Sequence, residues 1–249
     1  MQIVGYEPGP EGALLIATEG TVEREPLEIG SQLSYALSDR HCAGVGVPDR
    51  HSPCDRASAP YCEEHTSTWI CALCTGTCLK DEMDCDEPHA VYLAAFAPRT
   101  FKVGVTKEWR LETRLREQGA DRGARIHVVP DGRIARELEA EIASTVPDRV
   151  SVSTKLHGLA RSVDDAAWES LCSRFDPDER FTFEYGFDLS VPPIPETIAT
   201  GTVVGTKGRA LVLDHAGSTY AVDMRDLVGY EIEPGSIDRE LQSGLGAFG

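Results

Sequence analysis

Cysteine is distributed very unevenly along this 249-residue chain, and that distribution limits what the chain can fold into. Seven of the eight cysteines fall between Cys42 and Cys85, whereas Cys172 stands alone on an apolar helical stripe and is predicted to be a core thiol. So short and polar a segment has little core of its own and needs another source of stability. It contains a Cys-x-x-His pair and a Cys-x-x-Cys pair, the spacing with which two ligands of one metal ion leave a tight turn.

We interpret the cluster as a structural zinc module. Thiolate and imidazole are ligands that zinc prefers, and a cytosolic chain keeps its thiols reduced, which disfavours a disulfide framework. An iron–sulfur cluster and unligated cysteines are the alternatives that the spacing leaves open. Eight ligands fill two closed sites, so the sequence predicts two structural zinc ions without an open position for water. The predicted ligands, whose division between the ions stays open, are Cys42, Cys54, Cys62, His65, Cys71, Cys74, Cys78 and Cys85.

The net charge of the chain is −17, from 41 acidic and 24 basic residues, of which only five are lysine. Asparagine is absent. This composition is typical of proteins from a salt-loaded cytoplasm. Residues 99–136 differ from this background, with ten basic residues against five acidic ones. The excess predicts an anion-facing surface, unless these arginines form ion pairs with glutamates four residues away on solvated helices.

The sequence contains no apolar run near the roughly 18 residues of a membrane span, and its start lacks the basic and apolar regions of a signal peptide. We therefore expect a cytoplasmic protein with no membrane partner. The sequence does not indicate an oligomeric state.

The order of strand-like and helix-like patterns predicts an α+β fold in four segments. Residues 1–40 and 181–249 are rich in short strands, and we expect the two ends to pair in one β-rich domain. Residues 41–89 form the zinc module, and residues 90–180 form an α+β core.

Within the core the predicted order is strand, strand, helix, strand, helix. The first helix, KEWRLETRLREQG, has Trp109, Leu111 and Leu115 on or near one face. A second helix covers residues 131–145, and Ser162 followed by Asp165 predicts the start of a third.

The core resembles the GIY-YIG nuclease superfamily in the strand motifs VYL and KVGVT, an arginine on the next helix and a glutamate on the helix after it. The resemblance assigns Tyr92 to the first tyrosine, Gly104 to the glycine of the second motif, Arg114 to the arginine that faces the scissile phosphate and Glu139 to the glutamate that holds a divalent metal. Phosphodiester cleavage needs such groups, and it implies Mg²⁺ or Mn²⁺ as the cofactor of an active enzyme.

The core departs from this family at three points. Lys102 stands where the family has its second tyrosine, Arg114 lies two residues further from the glycine than usual, and the late asparagine has no counterpart. The sequence therefore predicts that a site of Tyr92, Lys102, Arg114 and Glu139 is inactive or of altered chemistry. The residues predicted to contact nucleic acid, either DNA or RNA, are Arg99, Lys102, Lys107, Arg110 and Arg114.

A second resemblance covers almost the whole chain. The order of the cysteine cluster, GTCL, PHAVYLAAF, KVGVT, EQGA and GTVVGTKGRALVLD is similar to domain-of-unknown-function family 2797. This implies that cluster, core and terminal β segment form one working unit, and it supplies no function. We expect a zinc-stabilised protein that binds or processes nucleic acid. The alternative is a protein-interaction or regulatory adaptor with a protein partner, in which zinc only stabilises the fold.

Overall fold

A computed structural model of the protein describes residues 1–9, 11–47, 50–66 and 85–235. Over these residues the fold is α+β and rich in strand, with a nine-stranded, a four-stranded and a two-stranded sheet. No helix in the described part of the chain is long and apolar enough to cross a membrane.

The nine-stranded sheet takes its strands from both ends of the chain. Residue Gln2 pairs with Glu231, and Tyr35 pairs with Ala199, so N-terminal and C-terminal strands alternate at its centre. Its order is β11-β14-β13-β12-β4-β15-β1-β2-β3. These strands are β1 (Gln2–Glu7), β2 (Ala13–Thr18), β3 (Thr21–Pro26), β4 (Gln32–Arg40), β11 (Ile194–Pro195), β12 (Ala199–Lys207), β13 (Ala210–His215), β14 (Ser218–Asp223) and β15 (Tyr230–Pro234).

Two hairpins of this sheet close through two-residue turns whose sequence ends in glycine. Glu19 and Gly20 join β2 to β3 with φ of 50° and 84°, and Ala216 and Gly217 join β13 to β14 with φ of 49° and 79°. Positive φ at both central positions is the geometry of a type I′ turn, whose twist matches that of the strands. The sheet then buries an aliphatic core that includes Ile3, Leu14, Leu33, Leu211 and Leu213.

The first part of the cysteine module lies against the sheet. It contains the two-stranded ribbon β5 (Val45–Val47) and β6 (Arg50–Ser52). The backbone N–H of His41 donates to Gly229 O at 3.0 Å, and that of His51 donates to Gly20 O at 2.8 Å. These bonds fix the module to two separate places on the nine-stranded sheet.

The core is built on a four-stranded antiparallel sheet of order β10-β9-β7-β8. The β10 strand spans the predicted segment boundary at residue 180 and pairs with β9 of the core. The predicted segment boundaries themselves stay a prediction. The core strands are β7 (His89–Phe96), β8 (Thr100–Lys107), β9 (Arg122–Val129) and β10 (Glu179–Thr182). The helices are α1 (Leu111–Glu117), α2 (Gly132–Ala143), α3 (Val152–His157) and α4 (Asp165–Cys172), and α5 (Met224–Leu227) follows β14.

Strand β7 is buried on both faces, which explains its continuous apolar sequence. Its even-numbered residues Tyr92, Ala94 and Phe96 pack with Leu111 and Leu115 of α1. Its odd-numbered residues pack on the opposite face in a cluster with residues of α2 and α4, among them Ala135, Trp168 and Leu171. The alternation of a strand thus separates the two layers of helices.

Two details of the predicted helices were wrong. Trp109 is 74 % exposed in a 3₁₀ turn, Glu108–Arg110, that precedes α1, so it does not share the buried face of Leu111 and Leu115. Asp164, rather than Ser162, caps α4 and accepts a hydrogen bond from the backbone N–H of Ala167 at 2.9 Å. In both cases the helix begins later in the chain than the sequence pattern predicts.

The core and the nine-stranded sheet meet at two glycines. The φ of Gly119 is +69° and that of Gly208 is +59°, and a Cβ on Gly208 would lie 2.5 Å from Gly119 N. Beside them Lys207 Nζ pairs with Asp121 Oδ1 at 2.5 Å. The motifs EQGA and GTKGRA, about ninety residues apart, therefore form one contact.

Candidate functional site

Four of the predicted metal ligands converge in the cysteine module. The ligand atoms of Cys42, Cys54, Cys62 and His65 all lie within 4.8 Å of one another. His65 Nδ1 is 3.3 Å from Cys42 Sγ and 3.4 Å from Cys62 Sγ. A tetrahedral zinc ion, with bonds of about 2.0–2.3 Å, sets its ligand atoms about 3.5–3.8 Å apart. The donor set and the spacing therefore fit one four-coordinate zinc ion.

The local backbone prepares this cluster for thiolates. The N–H groups of Gly44 and Cys62 point at Cys42 Sγ, at 3.4 and 3.2 Å. Burial raises the pKa of the Cys62 thiol, but the backbone N–H groups of His65 and Glu64 and the neighbouring thiols outweigh it and hold that pKa below its usual value. At Cys54 the backbone N–H of Arg56 lowers the pKa, but burial and the hydrogen bonds with Cys42 and Cys62 outweigh it and hold that pKa above its usual value. Thiolate is the form in which cysteine binds a metal, so this stabilisation is clear at Cys62.

The Cys-x-x-His spacing forms a tight turn, as predicted. The Cys62 carbonyl accepts the backbone N–H of His65 at 3.0 Å and that of Thr66 at 2.8 Å. This folds the imidazole back onto the sulfur of Cys62, while the buried Cys42 comes from the end of the strand that joins the module to the sheet. Four side chains from three separate stretches thus meet at one point.

The other predicted ligands do not join this group. Cys71, Cys74 and Cys78 lie outside the described residues. Cys85 is described and half-buried, and its carbonyl accepts the backbone N–H of Gly132 at 2.7 Å at the start of α2. It is not part of the cluster of Cys42, Cys54, Cys62 and His65. The second zinc ion stays a prediction.

In the core, Tyr92 is 1 % exposed and lies under α1. Its hydroxyl accepts the side-chain N–H of Gln118 at 2.6 Å. Gly104 is the residue opposite on β8, where a Cβ would lie 2.6 Å from the hydroxyl oxygen. Burial raises the pKa of Tyr92, and Arg114 acts in the opposite direction. The glycine of the second motif thus makes room for the tyrosine of the first.

Lys102 lies on the same face of the sheet, opposite Ala94 and two residues from Gly104. The side chain is half-buried, and burial lowers the pKa of the ammonium. The negative charge of Glu139 acts in the opposite direction and raises this pKa, while Arg114 lowers it. Glu139 is nevertheless paired with Arg136 at 2.5 Å and is only 13 % exposed. Within the described residues, Lys102 forms no ion pair of its own.

Arg114 and Glu139 both act on the pKa of Tyr92 and on that of Lys102, so the four predicted core residues lie within electrostatic reach of one another. Arg114 is 47 % exposed on α1 and shares Glu117 with Arg110, at 3.3 and 2.9 Å. This arrangement places the cations Lys102 and Arg114 on the α1 side of the sheet, whereas Glu139 belongs to α2, the helix that packs on the opposite face.

The cations of the predicted basic surface are spread along the core. Arg99 and Lys107 lie at opposite ends of β8, where Arg99 pairs with Asp164 at 3.3 Å and Lys107 pairs with Glu87 at 2.9 Å. Helical pairs such as Arg116 with Glu112 neutralise further charges. Ion pairs therefore engage the arginines of this basic segment, and the anion-facing surface stays a prediction.

Sequence analysis missed one charged residue at the core. Lys155 of α3 donates to the carbonyl of Gln118 at 2.8 Å, and its ammonium lies 4.3 Å from the ring centroid of Phe96. Burial, followed by Lys102, Arg209, Arg114 and Lys207, lowers the pKa of Lys155 to about 7. The sequence offered one signal: the chain has only five lysines, so each of them stands out.

The family model described as "Protein of unknown function (DUF2797)" matches residues 32–185. The chain belongs to this family. The match begins at β4, includes all the predicted metal ligands and ends after β10 of the core. No curated protein and no solved structure matches the chain. For this DUF2797 protein, the chemistry of the two sites is therefore the guide to function.

Proposed function

We propose that this DUF2797 protein binds nucleic acid through the α1 face of its core, while the cysteine module holds structural zinc. The observation that carries the proposal is the position of Lys102, a half-buried cation beside Arg114 and Tyr92. A partly desolvated ammonium without its own carboxylate is costly, and a phosphate offsets that cost. Arginine complements it because the guanidinium bonds two phosphate oxygens at once.

Binding rather than hydrolysis is the function that we propose for this core. The resemblance to the GIY-YIG superfamily assigns a divalent metal to Glu139, but this carboxylate is paired with Arg136. The Tyr92 hydroxyl is buried against Gln118 and Gly104. A general base or nucleophile-orienting group needs to reach the substrate, and this hydroxyl has little access to it.

The zinc ion supports the fold in this proposal. Three thiolates and one imidazole close its coordination shell, which leaves no position for a substrate water. Its contribution is to hold residues 42–65 against the nine-stranded sheet, because structural metal binding is coupled to folding.

The experiment is to measure binding and cleavage on single- and double-stranded DNA and RNA, with Mg²⁺ or Mn²⁺, over a series of potassium concentrations. Phosphate contacts weaken steeply with salt, so the slope of log Kd against log salt counts them. We expect Lys102→Met and Arg114→Ala each to weaken binding about tenfold and to reduce that slope by about one. Glu139→Gln should leave binding unchanged or tighter, because it removes a negative charge.

Matched controls separate the site from a general loss of charge. Arg133→Ala removes an exposed cation on α2 that pairs with Glu137 at 3.4 Å, and Glu137→Gln removes a carboxylate two residues from Glu139. Both controls should bind like the wild type. Cleavage lost in both Arg114→Ala and Glu139→Gln would instead establish a nuclease, and absence of binding to all four substrates would favour the adaptor.

A further inference from the structure

Cys85 and His89 lie close together at the start of α2, outside the four-residue metal cluster of the cysteine module. Both side chains are half-buried. A Cβ added to Gly132, the first residue of α2, would lie 3.0 Å from Cys85 Cβ and 3.0 Å from His89 Nε2, so at most twice that distance separates these two atoms. Zinc bonds of about 2.0–2.3 Å set a cysteine Cβ and a histidine nitrogen about 3.5–5 Å apart. The separation therefore suits a thiolate and an imidazole that bind one ion.

The ring of His89 is oriented as in a metal ligand. Its Nδ1 lies 2.7 Å from the carbonyl oxygen of Glu87, and because a carbonyl only accepts, Nδ1 is the nitrogen that donates. In the neutral ring this leaves a lone pair on Nε2, the nitrogen that contacts Gly132 beside Cys85. Within the described residues Nε2 has no hydrogen-bond partner. Metal-binding histidines are commonly fixed by a backbone carbonyl in this way.

The backbone holds the two side chains in fixed positions. The carbonyl of Cys85 accepts the backbone N–H of Gly132 at 2.7 Å, which ties Cys85 to the first turn of α2. His89 begins β7 and pairs with Lys107 of β8 on one side and with Val129 of β9 on the other. A metal ion at this point would find two ligands already in place.

Gly132 keeps the space between the two side chains open. Its φ is not positive, so its backbone conformation does not require glycine. In a helix, glycine is also less favourable than alanine. An alanine methyl, however, would lie 3.0 Å from both Cys85 and His89. The absence of a side chain at Gly132 is therefore explained by the room that the pair needs.

We propose that Cys85 and His89 are two ligands of the second zinc ion, which binds at the start of α2. Thiolate and imidazole together are a donor set that zinc prefers. The sequence predicted Cys85 as a ligand, and His89 is a new one. Zinc completes its tetrahedral shell with two further ligands, and the other predicted ligands Cys71, Cys74 and Cys78 lie outside the described residues. This inference is independent of nucleic-acid binding by the core.

The second ion would attach the cysteine module at a second place. The first metal cluster lies beside the nine-stranded sheet, to which the backbone of His41 is bonded through Gly229. Cys85 and His89 instead contact α2, whose apolar side packs in the core cluster with β7 and β8. The module is then fixed to the nine-stranded sheet at its start and to the core at its end.

The experiment counts zinc by native mass spectrometry and measures its affinity by competition with a chromophoric chelator, using the full-length protein. We expect the wild type to hold two ions. His89→Gln keeps a side-chain N–H for the Glu87 carbonyl but has no imidazole, so it should weaken the binding of one ion at least tenfold, as should Cys85→Ser. Gly132→Ala should weaken the same ion without removing a ligand, because its methyl enters the space between the two side chains. Cys62→Ser removes the other ion, so its combination with His89→Gln should leave none.

His127→Gln is the matched control, since it removes an exposed imidazole from β9 of the same sheet. It should hold two ions with wild-type affinity, and circular dichroism should show that the variants are folded. If His89→Gln does not fold, Gly132→Ala decides, because it retains every ligand. Undiminished affinity for both ions in these two variants would overturn the inference, and so would a wild type whose single ion is lost in Cys62→Ser. Both outcomes leave the proposed nucleic-acid binding standing, whereas a wild type without zinc would contradict this inference and the structural zinc of the proposed function together.

Discussion

Some side chains of this protein lie in environments that are unfavourable for a residue of their type. Lys155 has an ordinary pKa of 10.5, yet burial and its cationic neighbours lower it to about 7. Tyr92 has no room to move because Gly104 and Gln118 enclose its hydroxyl. Such placements cost stability, and they are typical of positions that serve binding.

Lys155 gives a prediction on pH dependence. The protonated ammonium adds a positive charge to the face at which we propose that nucleic acid binds, so affinity for nucleic acid should fall as the pH rises from 6.5 to 8.5. The phosphodiesters of the strand keep one negative charge each over this range. Titrations at several pH values, for the wild type and Lys155→Met, check this. Lys102 also titrates below its ordinary value, so the difference between the two proteins isolates Lys155.

The same residue gives a prediction on stability. The pKa of Lys155 is lower in the folded protein than in the unfolded chain, so the unfolded chain binds more protons between pH 7 and about 10. The contribution of Lys155 to the free energy of unfolding should therefore rise with pH through that window and become constant below it. Urea unfolding at pH 7 and pH 9 should show a smaller increase for Lys155→Met than for the wild type. Equal increases would contradict this assignment.

Gly104 gives a second prediction at the scale of the residue. A Cβ at this position would lie 2.6 Å from both Cζ and Oη of Tyr92. Gly104→Ala should therefore lower the free energy of unfolding by about 2 kcal/mol, as overpacking does in a closed core. Chemical denaturation measures it. Gly46→Ala is the control, because no atom of the described residues lies within 4 Å of its added Cβ, and its stability should be unchanged or slightly higher.

At the scale of the element, the cysteine module shows how a segment with short strands becomes ordered. Its two strands have three residues each, too few for independent stability. The Cys-x-x-His turn, the sulfur-directed N–H groups and the bonds to Gly229 and Gly20 act together. A zinc ion would link these separate pieces, since its binding energy becomes folding energy.

The number of bound zinc ions tests the assignment of the ligands in the cysteine module. Chelation should release two zinc ions per chain, and Cys62→Ser should remove one of them because it disrupts only the cluster of Cys42, Cys54, Cys62 and His65. Mass spectrometry under native conditions and a colorimetric zinc assay count the ions. Cys172→Ala is the control, since Cys172 is buried in the core packed by α4 and should not change the count. Iron with visible absorption, or an unchanged zinc count in Cys62→Ser, would overturn the ligand assignment.

At the scale of the whole molecule, the contact between Gly119 and Gly208 joins the two large sheets. Lys207 strengthens it through Asp121, and its ammonium lies 5.4 Å from the ring centroid of Tyr185. The carbonyl of Gln118, the residue before Gly119, accepts from Lys155. The nine-stranded sheet therefore supports the end of α1 from behind, and the core site depends on this support for its shape.

A pair of glycine variants tests the contact between Gly119 and Gly208. In Gly208→Ala the added Cβ would lie 2.5 Å from Gly119 N, so we expect a loss of about 3 kcal/mol and a separation of the unfolding transition into two. Gly217→Ala is matched to it, because Gly217 also has a positive φ, of +79°, but in the described part of the chain no atom lies within 4 Å of its added Cβ. It should cost only about 1 kcal/mol and leave a single transition. Two-step unfolding in both variants would refute the role of the contact.

The sequence by itself determined the local features of this protein. Strand alternation, the glycine-containing turns, the Cys-x-x-His turn and the order of strands and helices in the core depend on neighbouring residues, whose chemistry the sequence states directly. The resemblance in motif order also singled out Tyr92 and Gly104, which lie opposite each other on β7 and β8.

Only the tertiary structure decided which distant groups meet. It selected Cys42, Cys54, Cys62 and His65 as one cluster, spread the basic residues of 99–136 over several ion pairs, and brought Lys155 beside Lys102. Each of these depends on sheet register and on the packing of α1 and α3, which involve residues tens of positions apart. Electrostatic energy is set by distance and burial, and neither can be computed along the chain before it folds.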